Sequence, residues 1–245
     1  MQQRAVLYPL GEGITLIDDA GEATCYVVEG PEKALVIDTV NGKEDLKAIV
    51  RQITDKPLVV FNTHGHPDHV FGNVFFEEAY LNKKDWPIHD AFFAQQPENG
   101  AKPCPLKDIQ PGDTIDLGGR KLLAIALAGH TPGSLCLLDD QSRTLFTGDS
   151  MCHTLWMQID HSTSIQTLLD SLNALDPYRQ RFDRLAMGHG TQTTPADYID
   201  RLKACAEDLI RTGGEGDERG SWFGGVAYHH RFGENDSIFY TKDKL

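Results

Sequence analysis

Residues 62–69 read Asn62-Thr63-His64-Gly65-His66-Pro67-Asp68-His69, three imidazoles and a carboxylate within six positions. They follow directly on the short apolar run 58–61, so the cluster sits just past a strand end. His64 and His66, one residue apart in an extended turn, can point to one metal ion. Asp68 and His69 lie one turn further on and suit a second. Gly65 permits the sharp loop and Pro67 stiffens it.

Three more candidates stand far away in sequence, each at a strand end and flanked by small residues. They are His130 in Gly129-His130-Thr131-Pro132-Gly133-Ser134, Asp149 in Thr147-Gly148-Asp149-Ser150, and His189 in Gly188-His189-Gly190. Taken singly, each is an ordinary turn or core residue. Taken together they are the nitrogen and oxygen donors that zinc favours, and a fold that uses them must bring all four segments to one place. For that reason the proline-bearing stretch 97–105 is not read as a domain boundary, and residues 1–245 are expected to form one domain.

The remaining pattern is that of an α/β protein. Runs 14–18, 25–28 and 34–38 alternate with turn residues and read as strands, as do 114–117, 122–128, 135–138, 144–147 and 185–187. Residues 43–53 have helical spacing with Asn41 and Gly42 as the expected start, and 164–175 and 195–210 read as further helices. Residues 217–225 are expected to be a loop, and 226–228 with 238–241 a closing pair of strands. The order suggests two similar halves.

Composition narrows the partners. The net charge of −13 repels phosphate backbones, so nucleic acid is not expected to bind. No apolar h-region follows the first residues, no stretch reaches membrane-spanning length, and the five cysteines are odd in number and form no CxxC pair. A cytoplasmic location without membrane contact is the expectation, with a homodimer left open.

The His64–His69 segment resembles the HxHxDH signature of the metallo-β-lactamase superfamily. The later segments are similar to that family's GHTPGS, TGD and GHG landmarks, in the family's order. Ala34-Leu35-Val36-Ile37-Asp38 resembles its apolar strand ending in aspartate. The resemblance implies an αββα sandwich, two central mixed sheets flanked by helices, with two divalent metal ions at one edge. It implies zinc first, with iron or manganese as alternatives. By the same resemblance His64, His66 and His130 hold the first ion, Asp68, His69 and His189 the second, and Asp149 bridges both. A water activated between the two ions is then the expected nucleophile, with Asp68 orienting it and carrying the proton.

Departures from the family's branches narrow the reaction. Asp149 stands where the commonest secreted zinc β-lactamases place a cysteine, and His66 where flavodiiron proteins have a glutamate. The resemblance therefore points to the intracellular hydrolases like hydroxyacylglutathione hydrolase and the lactonases, acting on a small ester, thioester or lactone. Phosphoester hydrolysis and iron-dependent sulfur dioxygenation are the alternatives, with β-lactam cleavage at most a side reaction. Trp156, Tyr228 and His229 are candidate substrate contacts, with walls expected from residues 151–158 and 213–233. Cys152 reads as a buried hydrophobe and His89 and His161 as surface residues. Residues 222–225 suit a lid or a subunit contact.

Overall fold

The computed structural model describes residues 4–95, 102–222 and 225–245. Seven strands form the first sheet in chain order: β1 (Val6–Gly11), β2 (Ile14–Asp18), β3 (Thr24–Glu29), β4 (Ala34–Ile37), β5 (Leu58–Phe61), β6 (Ala79–Tyr80) and β7 (Leu106–Lys107). Its first four strands are antiparallel and β4 to β7 run parallel, so the sheet is mixed. Then come β8 (Thr114–Asp116), β9 (Lys121–Ala126), β10 (Leu135–Asp139), β11 (Thr144–Gly148), β12 (Thr154–Met157), β13 (Arg184–Met187) and β14 (Thr194–Pro195). All but β12 make a six-stranded second sheet, ordered β14-β13-β11-β10-β9-β8, in which β11 and β13 are parallel.

Period-two alternation decides which side chains face which layer. Leu16, Leu35 and Ile37 of the first sheet pack with Leu122, Leu137 and Phe146 of the second in one apolar layer between them. Their neighbours point the other way. Ile17, Val36 and Val60 pack against Leu46, Ile49 and Val50 of helix α1 (Leu46–Val50). Two further short helices follow α1, α2 (Pro67–Val70) and α3 (Trp86–Ala94). On the far side Cys136, Leu138 and Leu145 pack against α4 (Ile165–Asn173) and α5 (Tyr198–Thr212). The expected αββα layering is therefore observed.

Boundaries differ where local hydrogen bonding overrides periodicity. Helix α1 starts at Asp45, whose carboxylate accepts from the Ala48 N–H at 3.0 Å, and not at Asn41-Gly42. Helix α5 starts at Tyr198 because Thr194 and Pro195 pair with β13. The expected loop at 217–225 is a correction as well. Residues Glu218–Trp222 form β15, paired with β16 (Gly225–Arg231), which pairs with β17 (Ser237–Tyr240). Strand β15 is exposed throughout, so ladder hydrogen bonds hold it and no apolar alternation announces it. With β12 these strands make a third sheet, ordered β12-β17-β16-β15. The parts of the 97–105 and 222–225 readings that fall on residues 97–101 and 223–224 lie outside the described residues. No helix among the described residues is long and apolar enough to cross a membrane.

Candidate metal centre

All four histidine and aspartate segments arrive at the same edge of the sandwich. His64 and His66 follow β5, Asp68 and His69 lie in α2, His130 follows β9, Asp149 follows β11 and His189 follows β13. The ligand atoms of His64, His66 and His130 lie within 4.8 Å of one another, as do those of Asp68, His69, Asp149 and His189. Asp149 faces both groups. Its Oδ2 is 3.1 Å from His189 Nε2 and 3.7 Å from His130 Nε2, and its Oδ1 is 3.3 Å from His69 Nε2.

Hydrogen bonds set which ring nitrogen of each histidine is left for the centre. Asp38 Oδ2 accepts from the Thr63 hydroxyl at 2.8 Å, so the Thr63 oxygen takes the Nδ1 proton of His64 at 3.0 Å. The Trp156 carbonyl can only accept, so His130 Nδ1, 2.8 Å away, carries the proton. His69 Nδ1 donates to Asp38 Oδ2 at 2.9 Å. Each of these rings therefore turns its Nε2 inward, as a lone pair on His64 and His130 and, on His69, as a nitrogen facing Asp149 and Asp68 that a proton or a metal ion can occupy. His64 Nε2 and His69 Nε2 are buried with no hydrogen-bond partner among the described residues. On His64, kept neutral by burial, that buried lone pair is costly unless a cation takes it, which fits a metal ion.

Charge divides the centre in two. Burial holds His64 and His66 well below the ordinary imidazole pKa and lowers His130, leaving three neutral donors. Burial also opposes charge on His69, yet the carboxylates of Asp149, Asp68 and Asp38 hold its pKa well above the ordinary value. Asp149 raises His189 too. Burial opposes ionisation of Asp149, but His189 and His69 pull its pKa far down, so negative charge is concentrated on the side where it faces both groups.

Close approach explains two of the flanking glycines. A Cβ on Gly188 would stand 2.0 Å from Asp149 Oδ1, and one on Gly148, at φ +52°, would stand 2.3 Å from Thr63 Oγ1. The segment carrying His189 is held by the Thr24 N–H, which donates to the Gly188 carbonyl at 2.9 Å, and by the Tyr26 hydroxyl, which donates to the Met187 carbonyl.

A cleft of about 970 Å³ opens over the centre, with His66, Asp68, His130, Asp149 and His189 on its surface. Trp156 lines it, with the Trp222 ring edge-on to it at a centroid distance of 5.9 Å. Tyr228 and His229 do not line it. The Tyr228 ring lies against Tyr240 and under Lys242, and His229 stacks on Phe239 at 4.2 Å. Among the described C-terminal residues, Trp222, Gly225 and Val226 reach the cleft, at the ends of the paired strands β15 and β16. The expectation of surface positions for His89 and His161 is corrected. His89 is buried against Phe93, and His161 lines the cleft 5.7 Å from the His66 ring. Cys152 is buried as expected, its thiol 3.7 Å from Asp149 Oδ1.

Sequence reasoning missed Asp85. Its buried carboxylate accepts from the Gly65 N–H at 3.0 Å, the Gly133 N–H at 2.7 Å and the Thr131 hydroxyl at 2.6 Å. It thereby ties the His64–His69 loop to the loop carrying His130. No local motif marks it, because all three partners are distant in sequence.

Residues 18–189 match the family model described as Metallo-beta-lactamase superfamily. The chain belongs to that superfamily. Among its relatives are the acyl-coenzyme A thioesterase MBLAC2 of Gallus gallus, 29% identical over 58% of this chain and 64% of the relative, and a hydroxyacylglutathione hydrolase of Gloeobacter violaceus, 27% identical over 71% and 70%. This chain thus spans less than two thirds of the length of the thioesterase. A metallo-beta-lactamase from Pontibacter korlensis has the same fold, with a TM-score of 0.67 at 15% identity over 83% of this chain and 99% of the other. By family and relatives the chain groups with metallo-hydrolases.

Proposed function

We propose that the protein is a metal-dependent hydrolase of a small-molecule ester, thioester or lactone, with two divalent metal ions, zinc in the first instance. The observation that carries this reading is the inward convergence of histidine Nε2 lone pairs and two carboxylates on the floor of one cleft. His64, His66 and His130 would hold one ion, Asp68, His69 and His189 the other, and Asp149 both. Imidazole nitrogen with carboxylate oxygen is a donor set that suits zinc. When bound, such ions supply Lewis acidity toward a carbonyl oxygen and lower the pKa of water.

The chain's own residues supply the rest. Asp68 is the more exposed of the two carboxylates, its side chain 26% accessible against 9% for Asp149, and it lines the cleft. From there it orients water and passes a proton to the leaving atom. Asp38, Thr63 and the Trp156 carbonyl hold three imidazoles in one tautomer and orientation. Phe92, Trp156 and Trp222 give the apolar part of a substrate a wall and keep bulk water from it.

The test is a hydrolysis panel of esters, thioesters, lactones, a phosphodiester and a β-lactam, run on metal-analysed protein with zinc, iron and manganese in turn. Turnover of at least one carbonyl substrate, abolished by a chelator, is expected. Phosphodiester cleavage with every carbonyl substrate inert would reject the proposal.

A further inference from the structure

The cleft has largely apolar walls, and outside the metal centre its charged lining residues, Glu22 and Asp160, are of one sign. Phe92, Trp156, Ile159, Trp222 and Val226 supply an apolar surface around the centre. Its acidic lining residues are Glu22, Asp68, Asp149 and Asp160, and among the described residues no lysine or arginine lines it. Residues 1–3, 96–101 and 223–224 contain no lysine or arginine either. Three cations beside these residues are already engaged, and Arg219 lines a separate pocket beside Trp222 rather than this cleft. Arg4 pairs with Glu22 at 2.9 Å and Lys43 pairs with the same carboxylate, while Lys244 donates to the Ser162 carbonyl at 2.7 Å.

An anionic carrier such as coenzyme A or glutathione needs partners for its phosphates or carboxylates along the path leading away from the scissile bond. Proteins provide these with arginine, lysine or unpaired backbone N–H groups. Here that path offers aromatic faces and the Asp160 carboxylate, within a chain whose net charge is −13. Apolar walls cost an uncharged acyl or alkoxy group nothing to approach, but they strip solvent from a charged one without replacing it.

Resting on the carbonyl-hydrolase reading above, we infer that this cleft selects uncharged, apolar-flanked acyl substrates and discriminates against thioesters of anionic carriers. The discrimination comes from the wall outside the metal centre: its aromatic faces attract the neutral group, and the Asp160 carboxylate repels the anion with no lining lysine or arginine among the described residues to offset it.

The test compares substrates that differ only in the charge of the carrier. Hexanoyl thioesters of N-acetylcysteamine, glutathione and coenzyme A are given to the metal-loaded protein. kcat/KM is expected to be at least about 10-fold higher for the neutral thioester than for coenzyme A, with the gap shrinking as salt is added. Asp160→Lys is expected to raise the coenzyme A to N-acetylcysteamine ratio. Equal or better turnover of the coenzyme A thioester by the parent protein overturns the inference and leaves the hydrolase reading intact. If no thioester is cleaved, a second measurement on the same protein still decides. S-Hexyl N-acetylcysteamine and S-hexyl coenzyme A are titrated against the tryptophan fluorescence to which Trp156 and Trp222 contribute. Tighter binding of the neutral thioether supports the selection, and tighter binding of the coenzyme A thioether refutes it.

Discussion

Asp38 Oδ2 lies 2.9 Å from Nδ1 of His69, and the same carboxylate takes the N–H and hydroxyl of Thr63. One side chain thus orients His69 directly and His64 through Thr63. Asp38 holds this position with φ at +64°, a left-handed conformation that asparagine and aspartate tolerate better than other side chains. Asp38→Ala is expected to weaken zinc binding by about 10- to 100-fold, the usual effect of losing such a partner. Competition with a chromophoric chelator measures it. Parental affinity in the variant would mean that Asp38 does not set the ring's orientation.

Asp85 is expected to matter for stability more than for chemistry. Burial pushes its carboxyl pKa up, against the Thr131 hydroxyl and the Gly65 and Gly133 N–H groups that lower it. Asp85→Ala strands the buried Gly65 and Gly133 N–H groups, at about 1–3 kcal/mol for each left unsatisfied, while the Thr131 hydroxyl keeps Ser134 Oγ at 2.7 Å. On the order of 3 kcal/mol in total, the loss lowers Tm by roughly 6–12 °C for a chain of this size. Calorimetry of the metal-free protein checks it, and an unchanged Tm would show that water replaces the carboxylate without cost.

Gly188→Ala tests the packing of the centre. The new methyl group would meet Asp149 Oδ1 at 2.0 Å and His69 Cε1 at 2.9 Å, so the shared carboxylate must move. The variant is expected to fold and to purify with less than half the parental metal content. Gly220→Ala, whose Cβ meets nothing within 4 Å, is the matched control with unchanged content. Equal metal in both variants would show that the site absorbs the displacement.

The cysteines predict a response to alkali. Burial pushes Cys104 up to about 11 and Cys136 and Cys205 up to about 12, and holds Cys25 and Cys152 well above the ordinary value of 9.0. The folded chain therefore keeps thiol protons that the unfolded chain gives up once the pH passes about 9. With more protons bound in the folded state, stability falls as pH rises above that point and is unaffected below it. The urea midpoint should decline steadily from pH 9 upward. Ellman's reagent at pH 8 should titrate no thiol before denaturation and all five after it. Fast labelling of Cys152 in the native protein would instead make it an accessible group of the site.

Much of the centre was legible because its chemistry is local in sequence. His64, His66, Asp68 and His69 share one loop, and His130, Asp149 and His189 each carry glycines that announce a close approach. The strand-rich layers were legible for the same kind of reason, since Leu35, Val36 and Ile37 alternate between two buried faces. Strand β15 was not, because an exposed strand held by backbone pairing leaves no apolar periodicity to read. His161 was not, because nothing beside it in the chain shows that it lies near His66 and Phe92.

The sequence alone determined the α/β class and the candidate donors, since periodicity and donor chemistry are properties of short segments. Tertiary structure alone decided what surrounds those donors. It set Asp38 on His69 and His64, strapped two ligand loops together through Asp85, and brought Trp222 rather than Tyr228 or His229 to the cleft. Each of these depends on the distance between residues far apart in the chain, which the packing of the sheets and the pairing of the last strands establish.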